Sequence, residues 1–196
     1  MTSQLNVDKI YNEGGDNDSG INLATNDTVK FDIAGSTKWT LNSSGNLFPS
    51  STSQGICFGV TSDTAANRLE DYEEGTWTPS HNGVDSSTGA YVKIGKLVHL
   101  NGYVGSTDST TGSAVSVSGL PFAPVNDISP TSHEAQGSVS YHEAVDSTSD
   151  QAGVCVIIDS NVLKFFKASD NRVVGDYDDH SGNWAIRFSV TYHTAA

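Results

Sequence analysis

One stretch near the C-terminus constrains this chain more than any other. Trp184, Ile186, Phe188, Val190 and Tyr192 alternate with Ala185, Arg187, Ser189 and Thr191. Successive side chains of a strand point to opposite faces, so this period of two predicts a strand with one buried face and excludes a helix there. The same reading extends backwards. Tyr91–Ile94 and Leu97–Val104 flank Gly95-Lys96 and predict a hairpin with glycine first in a two-residue loop. Val98, Leu100 and Val104 share a face, with Gly102 between them as a bulge or a close approach. Further strands are expected at Ala114–Val117, Gly137–Tyr141, Gly153–Ile158 and Val162–Phe166. His99 falls opposite the apolar face of its strand, at an exposed polar position.

The N-terminal part reads differently. Leu5–Tyr11, Ile21–Leu23, Val29–Ile33, Lys38–Leu41 and Leu47–Phe48 are short apolar pieces between polar turns. Val29, Phe31 and Ile33 alternate with Lys30 and Asp32, Ala34-Gly35-Ser36 supplies a turn, and Trp39 and Leu41 alternate on the return. A segment of about 60 residues buries only about 60% of its surface, and this one has few large apolar groups. It is expected to need neighbouring copies to cover its apolar faces. With 19 glycines and abundant Ser, Thr, Asn and Asp between the apolar runs, the fold class is all-β. A C-terminal antiparallel β-sandwich over 80–196, of jelly-roll type, is expected after a β-rich oligomerising stem over 1–60.

Residues 61–79 form the joint between them. Thr61-Ser62-Asp63 can cap a short helix through Thr64–Tyr72, with Leu69 and Tyr72 on one face and Gly75 ending it. Glu70, Asp71, Glu73 and Glu74 would then sit where the helix dipole disfavours them. A helical turn and an ordered loop therefore both remain open. Trp77 and Tyr72 can anchor the joint, Gly75 allows a reversal, Pro79 stiffens the path into the next strand, and the acidic group can meet Arg68 of a neighbouring chain.

Charge and cysteine usage narrow the partners. With 23 acidic against 10 basic residues the formal charge is −13, which repels phosphate backbones and anionic lipid. Neither nucleic acid nor membrane insertion is expected. Cys57 and Cys155 each lie between apolar neighbours and read as small buried hydrophobes. The N-terminus shows no basic region followed by an apolar run, so synthesis in a cytoplasm is expected. His133-Glu134 and His142-Glu143 begin like a zinc-protease motif, but each lacks the second histidine and a helical context. No nucleophile elbow or phosphate loop occurs, so no enzymatic activity and no cofactor are expected. The oxygens of Asp176-Tyr177-Asp178-Asp179-His180 raise a structural calcium ion as an alternative to a solvated turn. Tyr141, Tyr177 and Trp184 have ring faces that can stack on sugars, although alternation places Trp184 in the core.

Three motifs resemble one family. Asn67-Arg68-Leu69-Glu70-Asp71-Tyr72-Glu73-Glu74-Gly75-Thr76-Trp77-Thr78-Pro79 is similar to the "LDDYEEGTWTP" signature of phage tail-fibre and related virion proteins of aquatic bacteriophages. Tyr91-Val92-Lys93-Ile94-Gly95-Lys96-Leu97-Val98 and Gly119-Leu120-Pro121-Phe122 follow in the order seen in that family. The resemblance covers residues 65–125 and implies a β-rich, homotrimeric virion protein. The expectation is a tail fibre whose C-terminal domain binds a host receptor, such as a surface polysaccharide, through the loops 105–112, 125–136 and 170–183. Tyr177, Asp178 and His180 are its candidate contacts, and Leu69, Tyr72, Gly75, Trp77 and Pro79 the structural joint. The alternative is a capsid decoration, cement or head-fibre protein docked on the shell. In both cases the partners are further copies of the chain and other virion proteins.

Overall fold

The computed structural model describes residues 6–14, 17–64, 67–69, 71–81, 85–107, 116–125, 135–143, 155–159, 161–169, 172–176 and 184–195. The chain is all-β and antiparallel throughout its named sheets, and it divides into two units, Met1–Asp71 and Tyr72–Ala196.

The first unit is a meander. Strands β1 (Lys9–Tyr11), β2 (Gly20–Asn22), β3 (Val29–Ile33), β4 (Ser36–Leu41) and β5 (Leu47–Pro49) pair in chain order, with β3 in the centre. The β3–β4 connection is the two residues Ala34-Gly35, both at positive φ (52° and 69°), the twist that matches flanking strands. Residues directly opposite in an antiparallel pair share a face. Ile10, Ile21, Phe31, Trp39 and Pro49 therefore form one apolar row across all five strands. Val29, Leu41 and Leu47 form a second row on the same face. Ile33 continues it opposite Ser36. A short pair, β6 (Ile56–Cys57) with β7 (Arg68–Leu69), completes the unit.

The second unit is one long sheet: β8 (Tyr72–Trp77), β9 (Ser86–Ile94), β10 (Leu97–Ser106), β11 (Ser116–Val117), β12 (Ala135–Glu143), β13 (Cys155–Asp159), β14 (Val162–Ser169), β15 (Arg172–Asp176) and β16 (Trp184–His193). Its order is β11-β14-β13-β12-β16-β10-β9-β8, with β15 also on β14. The two meanders β8–β9–β10 and β12–β13–β14 are thus joined by the last strand. The strands of this unit form one continuous sheet that bends over itself. Phe165 of β14 meets Phe188 of β16 edge-on at 5.2 Å although two strands lie between them in the order. The ends of the order also approach. Ser80, just past β8, and Ser118, just past β11, exchange reciprocal backbone hydrogen bonds of 3.0 and 2.8 Å.

The alternation of β16 carries the core. Ile186, Phe188, Val190 and Tyr192 are buried and lie opposite Val104, Gly102, Leu100 and Val98 of β10. Val117, Leu163, Phe165 and Trp77 join them. The β9–β10 turn is the expected Gly95-Lys96, with Gly95 at φ 57°.

The joint departs from expectation. Tyr72–Trp77 is a strand, and Gly75 lies within it rather than ending a helix. The acidic run is better placed this way because pairing with β9 sets Glu73 opposite Lys93. The segment 170–183 likewise contains β15, where a loop was expected. Cys57 is a free thiol that is half-buried, not enclosed.

Candidate functional site

Parts of all three motifs meet in the second unit. Trp77 lies opposite Gly89, and its ring occupies the space that a Cβ there would need. Its Nε1 donates to the Asn101 carbonyl at 3.0 Å, and its ring meets Phe188 edge-on at 6.3 Å. Buried indole N–H groups need such an acceptor, so this bond fixes the ring as well as satisfying it. Gly75 lies opposite Tyr91, whose ring crosses it and whose hydroxyl donates to Glu73. That hydrogen bond to a carboxylate holds the Tyr91 phenol above its ordinary pKa. The Tyr91 ring meets Phe122 edge-on at 5.3 Å, and the Lys93 ammonium stands 5.4 Å from the centre of the same ring. Lys93 is itself buried. The Phe122 carbonyl then accepts the Tyr192 hydroxyl at 2.9 Å, and burial pushes that phenol up to about 12.

The remaining motif residues close the same corner. Gly119, at φ 82°, sets its α-carbon where an added Cβ would be 3.2 Å from the Thr78 carbonyl. Pro79 is buried, and His81 Nδ1 lies 2.7 Å from the Ser116 carbonyl. Thr194 Oγ1 donates to the Ala123 carbonyl at 2.8 Å. Every one of these interactions orients a ring or a backbone segment, so the cluster is built for packing.

The other expected joint residues lie apart from it. Tyr72 is 63% exposed and donates to Glu74 at 2.8 Å, which raises its phenol pKa. Leu69 pairs with Ile56 in the first unit. Arg68 binds within its own chain, to Asp63 Oδ1 at 2.9 Å and the Ser53 carbonyl at 2.6 Å. Those bonds engage the guanidinium that the acidic run of a neighbour was expected to meet.

The outward face of the second sheet carries a set that the sequence reading did not assemble. Arg187 of β16 stands 5.6 Å from the ring centres of both Tyr103 on β10 and Tyr141 on β12. Tyr103 lies opposite Arg187 in one register and Tyr141 in the other. Further along the same face His99, exposed as expected, shares a 2.9 Å hydrogen bond with Thr191. The signal was available in part: alternation puts Arg187 on the polar side of its strand, but the two neighbours of that strand are a tertiary fact. Such an aromatic and cationic surface suits the stacking and hydrogen bonding of a sugar.

Tyr177, Asp178 and His180 lie outside the described residues, as does the rest of the Asp176 loop beyond β15. So do most of the expected loops 105–112, 125–136 and 170–183. His142-Glu143 belongs to strand β12 rather than to a helix. Among the described residues no three His, Cys, Asp or Glu side chains gather as metal ligands. Comparison with protein-family models, curated proteins and solved structures finds no match.

Proposed function

We propose that this chain is a non-enzymatic structural subunit of a bacteriophage particle: a homotrimeric tail-fibre protein, with the second unit presented to a host receptor. The observation that carries the reading is the first unit's lack of a core. Among its described residues only Asp32 is buried, while the apolar side chains of its sheet are half-buried or exposed. A sheet of that kind gains stability by burying apolar area against other chains. The motifs that resemble virion proteins support the same reading, since their residues serve packing. For the receptor, the Tyr103–Arg187–Tyr141 surface is the favoured contact for a host polysaccharide, with Tyr177, Asp178 and His180 as further candidates.

Antibody labelling of purified particles tests the assignment. Label at the tail supports it. Label spread over the head overturns the tail-fibre reading in favour of a capsid decoration protein, and particles without label overturn both. Incubation with host envelope polysaccharide is expected to release no new reducing ends, and their appearance would make the chain an enzyme.

A further inference from the structure

Tyr141 reaches the outward face of the second sheet through an irregularity in its own strand. Ser138 and Val139 of β12 lie opposite Ser189 and Phe188 of β16, but the next pair is Tyr141 with Arg187. Ser140 is the extra residue of a β-bulge. Without it Tyr141 would fall opposite Ile186, on the core face, because a slip of one residue exchanges the two faces of a strand. Bulges re-aim side chains in this way and are over-represented next to active sites. Here the bulge completes a row of Tyr103, Arg187 and Tyr141 on adjacent strands, with the guanidinium 5.6 Å from both ring centres.

Arg187 is exposed, and among the described residues its guanidinium makes no hydrogen bond and no ion pair. Ring contacts steady a cation without using its N–H donors. Arg68, by contrast, commits its guanidinium to Asp63 and the Ser53 carbonyl. The outward positions of β9, β10 and β16 also hold no Asp or Glu. Thr88 extends the row, and Asn101 and Ser189 lie in the next one. In a chain of formal charge −13 that strip offers an anion an approach, since exposed charges more than about 8 Å away are largely screened at physiological ionic strength. We infer that this row reads a carboxylated polysaccharide, a polymer containing uronic acid, with Arg187 on the carboxylate and the tyrosine rings against the sugars. The inference rests on the polysaccharide contact proposed above and assigns the chemistry of its ligand. A planar guanidinium matches a planar carboxylate through two parallel N–H···O bonds, for which a neutral sugar has no equivalent. Tyr103 and Tyr141 lie two strand spacings apart, about 10 Å. A sugar chain crossing the strands therefore meets a ring on each side of the bound carboxylate.

Binding of the full chain to polygalacturonate, alginate and hyaluronate, each as the acid and as its uncharged methyl ester, provides the test. At least one acid form is expected to bind, with its ester about ten- to a hundredfold weaker, the worth of hydrogen bonds to a charged group. Arg187→Gln should weaken the acid form to the level of the ester. Arg187→Lys, which keeps the charge but not the fork, should recover only part. Lys30→Gln removes one positive charge from the first unit and should change nothing. The acid and ester comparison on the unaltered chain covers the case in which a variant unfolds. Acid and ester bound equally, with binding lost in Tyr103→Ala and Tyr141→Ala, overturns the anion and leaves the sugar contact standing. Binding untouched by Arg187→Gln and by both tyrosine changes overturns the anion and the choice of this surface. Retention on host envelope polysaccharide with no uronate bound overturns this inference alone, and retention on no polymer overturns the polysaccharide reading with it.

Discussion

At the scale of single residues, two glycines do more for the second unit than the side chains around them suggest. Gly102 and Gly89 each lie on the core face, and each leaves the volume of one Cβ to an aromatic ring, Phe188 and Trp77 respectively. Both rings are held on other sides, so neither can retreat. Gly102→Ala is expected to destabilise the unit by about 1–3 kcal/mol, the usual cost of overpacking a filled core. A urea midpoint unchanged from the parent would refute that. Ala34 presents the opposite case. It holds φ 52° at the first position of its turn, a conformation that costs an ordinary L-residue about 1–2 kcal/mol. Asparagine tolerates it, so Ala34→Asn should stabilise the first unit by about 1 kcal/mol, read as a higher melting temperature. Sequence reading located both features only in part. It left Gly102 as a bulge or a close approach and took Gly75 for a reversal, because a missing Cβ serves a turn or a neighbouring ring equally well.

At the scale of elements, the polar face of the N-terminal sheet is held by one carboxylate. Asp32 on β3 accepts from Thr37 Oγ1 at 2.7 Å on β4, from Asn22 Nδ2 at 2.9 Å on β2 and from the Tyr11 hydroxyl at 3.1 Å on β1. It thereby ties four of the five strands. The bonds from Thr37 and Asn22 are the main reasons that its pKa lies below the ordinary 3.8. A depressed carboxylate contributes stability that is present above the unfolded value and is lost as pH falls through the folded one. The N-terminal sheet should therefore lose this contribution to its stability as pH falls below 3.8, and Asp32→Asn should remove that component of the acid transition. At neutral pH the same change should cost about 1–3 kcal/mol, since it sets an amide N–H against existing donors. Asp85 is depressed too, chiefly by the Thr107 backbone N–H, and titrates in the same direction in the second unit. The difference between Asp32→Asn and the parent isolates the first unit's share. An acid transition identical in both proteins would refute the assignment.

At the scale of the whole molecule, the two units differ in what holds them. Tyr72–Ala196 has a continuous buried cluster from Trp77 to Tyr192, and Met1–Asp71 has no equivalent among its described residues. Deleting residues 1–71 is therefore expected to leave a cooperatively folding protein that no longer associates. A deletion protein that still sediments as a trimer would place the assembly determinant in the second unit. A deletion protein with no cooperative transition would show that the rolled sheet depends on the first unit.

The local pattern alone determined the all-β class, the hairpin at Gly95-Lys96, the last strand and the poverty of the N-terminal core. Period-two alternation and turn chemistry act over a few residues, so they survive without knowledge of neighbours. The strand order, the bend that brings Phe165 to Phe188, and the Tyr103–Arg187–Tyr141 set were decided only by tertiary structure. Each depends on which distant strand lies alongside, and many pairings would bury the same alternating faces about equally well. The acidic run from Glu70 shows the consequence. Read alone, its segment fits neither a helix end nor a strand, and pairing with β9 makes Tyr72–Trp77 a strand by setting Glu73 against Lys93 and Gly75 under Tyr91.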